Sequence, residues 1–173
     1  MNLDELRDDL IIKQKKGLPF ILASVVIWLL ITIVAILNIS IETKNILVFC
    51  CSTPMLPISW IIGKKVGVDL FDKKNALGQL AFLFTMNQML YLLIVMWVFA
   101  AVPEKMIMVY AMVFGAHLLP YSWVYKSKAY RIFAIVIPTL SLILGNVFNG
   151  VVVAGTLTVV ELAFVFVLKK ELE

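Results

Sequence analysis

Hydrophobic residues in this chain run in long unbroken blocks, and polar residues collect between the blocks rather than alternating with them. Runs such as FILASVVIWLLITIVAIL have no period of two, which removes strands and the membrane β-barrel, since a barrel needs polar lumen positions at every second residue. A helix crosses the roughly 30 Å hydrocarbon layer with about 20 mainly apolar residues. Six blocks meet or nearly meet that length: residues 18–39, 45–62, 76–101, 104–125, 129–148 and 150–168. The pattern therefore predicts an all-α polytopic membrane protein with six transmembrane helices. The connections at 40–44, 102–105 and 148–150 are short enough that the spans should pair as three antiparallel hairpins. An amphipathic N-terminal segment, 1–16, precedes a transmembrane domain, 17–170.

The basic residues orient these spans, because Lys and Arg accumulate on the cytoplasmic side. Arg7, Lys13, Lys15 and Lys16 precede the first span, Lys64, Lys65, Lys73 and Lys74 fill the second loop, Lys126, Lys128 and Arg131 fill the fourth, and Lys169 and Lys170 follow the last. Thirteen of the fifteen basic residues thus fall on one side, leaving Lys44 and Lys105 on the other. Both termini are expected in the cytoplasm. The first apolar block is longer than the about 7–15-residue core of a secretory signal and is not followed by a small-x-small cleavage site, so it reads as a span. Before it, Asn2 can cap a helix whose Leu3, Leu6 and Leu10 share a face, with Asp4 and Glu5 in its first turn. That helix is expected to lie on the inner leaflet.

Composition narrows the function classes. The 173 residues are 62% hydrophobic and 15% charged, whereas soluble domains carry about 25% charge and under 50% apolar residues. A water-soluble globule and a disordered chain are excluded. Eight glycines and six prolines exclude a collagen-like repeat, and two cysteines cannot build a disulfide framework. Cys50 and Cys51 are adjacent in the second span and read as small buried residues. No phosphate loop of Walker type, CxxC pair, HExxH or G-x-S-x-G elbow occurs, so ATP-driven transport by this chain alone is excluded, and no metal or cofactor is expected. The net charge of +4 sits in clusters that topology already requires. Anionic lipid headgroups at the cytoplasmic face, not nucleic acid, are the expected partners.

Candidate chemistry lies in the polar residues inside the spans. Stripes of small and polar residues mark inward helix faces, because contacts in lipid depend on close approach and interhelical hydrogen bonds. Such stripes are Ser24, Trp28, Thr32 and Ala35; Gly78, Ala81, Thr85 and Gln88, with Asn87 beside them; Tyr110, Phe114, His117 and Tyr121; and Gly150, Ala154, Thr158 and Glu161. Glu161 is the only acid and His117 the only histidine well inside a span. A charged side chain at the membrane centre costs roughly 2.5–3.5 kcal/mol, so both are functional suspects. Counted along their spans the two reach similar depths, which allows them to pair and share a proton if the fourth and sixth spans are neighbours. Glu161, His117, Asn87, Gln88 and Tyr121 form the candidate substrate or proton path. The plainer alternative is that Glu161 reaches water or a basic residue near Lys169. Pro54 and Pro57 should bend or break the second span, and Pro138 marks the corresponding place in the fifth under an inverted repeat.

The opening ELRDDLIIKQKKGLPFILASVVIWLLI, in which KQKKG leads into LPFILAS, resembles a family of small bacterial six-span membrane proteins catalogued as a domain of unknown function. The resemblance is strongest over the first forty residues and extends through the Pro-rich second span. It implies a multi-pass protein of the bacterial cytoplasmic (inner) membrane, and it implies no activity and no site residue. Three functions remain open. The leading one is transport of a small solute or ion through the polar path beside the bent second span, for which a homo-oligomer is a natural way to enclose enough volume. The second is an accessory or regulatory membrane subunit with neither transport nor catalysis. The third is an intramembrane lipid-acting enzyme using Ser24, Ser52, Ser59 or Ser141 with His117. None of these serines has an activating context, so the sequence leans away from an enzyme.

Overall fold

The computed structural model of the protein describes residues 2–70 and 74–173, so Lys73, counted above with the second loop, lies outside the described residues. Among the described residues all regular structure is helical, and six helical stretches are long and apolar enough to cross a membrane.

Helix α1, Leu3–Gln14, opens with a capping box: Glu5 N–H donates to Asn2 Oδ1 and Asn2 N–H to the Glu5 carboxylate. Lys15, Lys16 and Gly17 then take three successive left-handed conformations, with φ of 46°, 52° and 71°, and turn the chain into α2, Leu18–Ile36. Ser40 caps α3, Ile41–Ser52. The second span breaks at Thr53 and Pro54, where proline offers no N–H, and resumes as α4, Met55–Val66, with Pro57 in a first turn that needs no donor. Asn75 caps α5, Ala76–Ala101. A single 3-10 turn, Pro103–Lys105, leads into α6, Met106–Ala116. The fourth span is also interrupted, at His117 and Leu118, before α7, Leu119–Val124. Its cause is Pro120, which cannot donate to the Ala116 carbonyl that ends α6. Ser127 caps α8, Lys128–Val147, which continues through Pro138, and Asn149 caps α9, Gly150–Lys170.

The most extensive helix pairings are α2 with α9 and α6 with α8, and α8 against α9 joins the two pairs. Small residues let these helices approach. A Cβ on Gly115 would stand 2.6 Å from Ile137 and Pro138 of α8, and one on Gly145 would stand 2.4 Å from Met108 of α6. Trp28 fills the centre, its ring 5.6 Å from Tyr110 and 5.8 Å from Phe114. The second and third spans sit outside this core: 11% of the α5 span is buried, against 50% of the span ending in α2.

Helix α1 lies across one end of the bundle and is tied to several of its connections. Arg7 donates to the Trp123 carbonyl at 2.6 Å, with its guanidinium over the Trp123 ring. Asn75 donates to the Leu6 carbonyl and to Asp9, Lys126 donates to Asp8, and Lys15 donates to the Val66 carbonyl. Leu10 is buried by these contacts, whereas Ile12 is exposed.

Candidate functional site

Glu161 is fully buried where α9 crosses α2, opposite Ser24. Ser24 Oγ is 2.5 Å from Glu161 Oε2 and 2.7 Å from the Ile21 carbonyl oxygen. A serine hydroxyl has one proton, so both short contacts are hydrogen bonds together when the carboxyl supplies a second one. Glu161 Oε1 has no partner among the described residues, and an ionised oxygen in that position would be left unpaired in an apolar interior. Further along the same interface Thr32 Oγ1 and Thr158 Oγ1 are 3.1 Å apart, and each hydroxyl also reaches a carbonyl on its own helix, Trp28 or Ala154. The inward stripes of the first and last spans thus face one another as two polar rungs.

His117 occupies the break between α6 and α7. Its Nδ1 meets the Phe114 carbonyl, and its ring packs against Phe114 and Tyr121 at 5.4 and 6.0 Å between centroids. Tyr121 is hydrogen-bonded to Thr85 Oγ1 at 2.7 Å and to the Ala81 carbonyl at 3.1 Å, tying α7 to α5. Although α6 and α9 are in contact, His117 and Glu161 bond to different groups. Asn87 is exposed on α5, where its Nδ2 donates to Tyr91 Oη at 2.8 Å, and Gln88 is half-buried beside it. Of the five path candidates, the fold brings His117 and Tyr121 together, gives Glu161 a separate partner and turns Asn87 outward.

The serines considered as nucleophiles are engaged or enclosed. Ser52 donates to the Val48 carbonyl and accepts from Tyr110 Oη at 2.7 Å, a bond from α6 to α3 beside the second-span break. Ser59 donates to the Met55 carbonyl one turn back, and Ser141 Oγ is buried with no partner among the described residues. No cluster of three or more His, Cys, Asp or Glu side chains suited to a metal occurs among the described residues.

Among the described residues, recesses open at both ends of the bundle. One, about 530 Å³, lies between the end of α1 and the end of α9 and is lined by Lys15, Lys169 and Glu171. The other, about 320 Å³, is lined by Lys44, Asn45, Lys105 and Gly145. Neither is lined by Glu161 or His117. At the smaller recess Lys44 donates to the Ala35 carbonyl in the last turn of α2, and Lys105 to the Gly145 carbonyl in the last turn of α8. Each of these two lysines closes a helix C-terminus, where a cation also complements the helix dipole.

A largely buried charged site lies where the spacing of residues does not disclose it. Lys16, nearly buried, pairs with Glu171 at 3.0 Å. Ser127 Oγ donates to Glu171 Oε2 at 2.6 Å, Ala129 N–H donates to Oε1 at 2.8 Å, and Tyr130 Oη donates to the Lys16 carbonyl at 2.8 Å. Burial pushes the Glu171 carboxyl up, but the bonds from Ser127, Ala129 and Lys16 outweigh it and hold the group below the usual carboxylate value. Nothing local marks this arrangement, since Glu171 and Glu173 both follow Lys169 and Lys170 and the spacing singles out neither.

No curated protein and no solved structure matches the chain. The match to the family of unknown function DUF7010 covers residues 3–171, nearly the whole of this six-span helical fold, and the chain belongs to that family.

Proposed function

We propose that this is a multi-pass integral membrane protein that works through helix contacts within the bilayer, as an accessory or regulatory membrane subunit rather than as a conduit. The observation that carries this reading is the setting of Glu161. The one acid deep in a span is fully buried, bonded across the α2–α9 contact to Ser24, and lines neither recess. A group in that position holds helices together without offering itself to a solute. The membrane is taken to be the bacterial cytoplasmic membrane, with both termini inside. The exposed Lys64, Lys65, Lys128, Arg131, Lys169 and Lys170 share the end crossed by α1, which supports that orientation and contact with anionic headgroups.

Reconstitution tests the reading. The purified chain in vesicles of neutral and anionic phospholipid, given a pH gradient and a panel of monovalent and divalent ions, should add no flux to that of protein-free vesicles. Flux that Glu161→Gln removes would overturn it and restore the transport reading, which rests on the unpartnered Glu161 Oε1 and on the breaks at Pro54 and at His117. Reporter fusions at each end test the orientation independently, and a terminus outside the cytoplasm would reverse it.

A further inference from the structure

We propose that the outward face of α5 is a dimer seam, along which α5 packs in parallel against the α5 of a second copy, with Asn87 hydrogen-bonded to its own counterpart. The proposal rests on the reading that the protein acts through contacts in the bilayer, and it names the first such contact.

The buried side of α5 carries Leu77, Gly78, Ala81, Val95 and Val98, which face the rest of the bundle. On another side Leu80, partly buried against the core, and then Leu83, Asn87, Leu90, Ile94 and Trp97 follow one another at alternating steps of three and four. Of these, Leu83 is 61% exposed, Leu90 63%, Ile94 51% and Trp97 67%. Such steps are those of a heptad seam, in which side chains of one helix seat between four of its partner. Leu80, Asn87 and Ile94 fall on one of the two seam positions, and Leu83, Leu90 and Trp97 on the other. Ile94 at the first position and leucine at two of the three second positions suit two parallel strands, and a single asparagine at the first position fixes register and copy number.

Asn87 decides between lipid and protein as the occupant. It lies at the middle of a 26-residue helix, within the hydrocarbon if α5 spans the bilayer. Among the described residues its bond is the one that Nδ2 donates to Tyr91 Oη, which leaves a second N–H and the carbonyl oxygen facing outward. Acyl chains offer neither donor nor acceptor, so those groups are costly in lipid. A two-fold axis along the membrane normal brings a second Asn87 to the same depth, with one donor and one acceptor for each. An unrelated helix would have to match both the depth and the heptad register independently. With no hydrophobic force between helices in lipid, side-chain packing and this amide pair carry the association.

Crosslinking in the membrane tests the seam. In a full-length chain with Cys50 and Cys51 replaced by alanine, Leu90→Cys should form an oxidised dimer. Met89→Cys, also exposed but off the seam, should not. Dilution in lipid, followed by energy transfer between labelled copies, should give a dimer that Asn87→Leu weakens by roughly 5- to 30-fold. Asn87 is exposed in the single chain, so helix content by circular dichroism should be unchanged in that variant. A monomeric wild type, equal crosslinking at positions 89 and 90, or an Asn87→Leu dimer as tight as wild type would overturn the proposal. Ion flux through an intact, seam-crosslinked dimer would instead overturn the functional reading and leave the seam standing.

Discussion

Lys16 and Glu171, 155 positions apart in the chain, meet with Nζ 3.0 Å from Oε2 and join the turn after the first helix to the end of the last. The turn needs such an anchor. A left-handed conformation costs an L-residue about 1–2 kcal/mol, and both Lys15 and Lys16 adopt one. The Tyr130 hydroxyl on the Lys16 carbonyl, the ion pair and the bonds to Ser127 and Ala129 offset that strain and dock α1 and α2 onto α8 and α9.

Removing the carboxylate should loosen all of these connections together. Glu171→Ala is expected to lower the unfolding free energy of the detergent-solubilised protein by about 2–3 kcal/mol, the scale of a charge-assisted hydrogen bond that leaves partners behind. It should also speed proteolysis within residues 13–17. The wild type carries a pH signature. Because the folded Glu171 titrates below its ordinary value of 4.5, its contribution is complete above that pH and is lost as the pH falls through the lowered value. Melting curves of wild type and variant should therefore converge in acid. A constant gap down to the lowest pH would show that the anchor does not depend on the charge.

Gly17 sits in the same turn under two constraints. Its φ is +71°, and an added Cβ would stand 2.9 Å from Tyr130 Oη and 3.3 Å from the Tyr125 ring. Gly67 has a similar φ, +73°, but nothing within 4 Å. Gly67→Ala should cost only the backbone penalty of about 1 kcal/mol, while Gly17→Ala should cost at least twice that and displace the Tyr130 bond. Equal melting temperatures for the two variants would mean that the tyrosines give way freely.

The six-span fold is legible in the sequence because span length and apolarity are local properties, and the bounds of α5, Ala76–Ala101, follow from them directly. Breaks are legible only as far as proline is weighed in context. Pro54 interrupts the second span, and Pro120 interrupts the fourth though it stands in a less conspicuous run, while Pro138 lies within a continuous α8 with its ring against Gly115. The inward direction of Glu161 is readable from the stripe it ends. Its partner is not, because counting residues along a helix gives depth alone, and rotation and neighbours are set by packing. Depth brings His117 level with Glu161, yet the α2–α9 contact presents Ser24. The Lys16–Glu171 pair joins opposite ends of the chain and has no sequence signal of its own.

The α6–α8 contact gives a sharper test of close packing. An alanine at position 115 would place its Cβ 2.6 Å from Ile137 and Pro138, atoms fixed by a branched side chain and a ring. Gly115→Ala should destabilise the protein by roughly 1–3 kcal/mol through forced separation of the helices. Gly155, whose Cβ would meet Thr32 Cγ2 at 3.9 Å, is the matched control. Gly155→Ala should be neutral or raise the melting temperature slightly, since alanine is the better helix former by about 0.5–1 kcal/mol.

The proton count at Ser24 and Glu161 leads to the most specific expectation. If Glu161 donates to Ser24 Oγ while Ser24 donates to the Ile21 carbonyl, a glutamine amide reproduces the arrangement, since its N–H also donates to Oγ. Glu161→Gln should then stay within about 1 kcal/mol of the wild type, because no buried charge is lost. Glu161→Ala removes the donor and opens a void in a fully buried position, and should cost about 2–4 kcal/mol. Ser24→Ala strands the carboxyl and should cost about 1–3 kcal/mol, and the double alanine variant should cost less than the two singles added together, as expected for groups that bond to each other. Unfolding titrations of the four variants decide the matter. If glutamine destabilises as much as alanine, the carboxyl is held as an anion, Ser24 gives its proton to Glu161, and the Ile21 carbonyl is left without it.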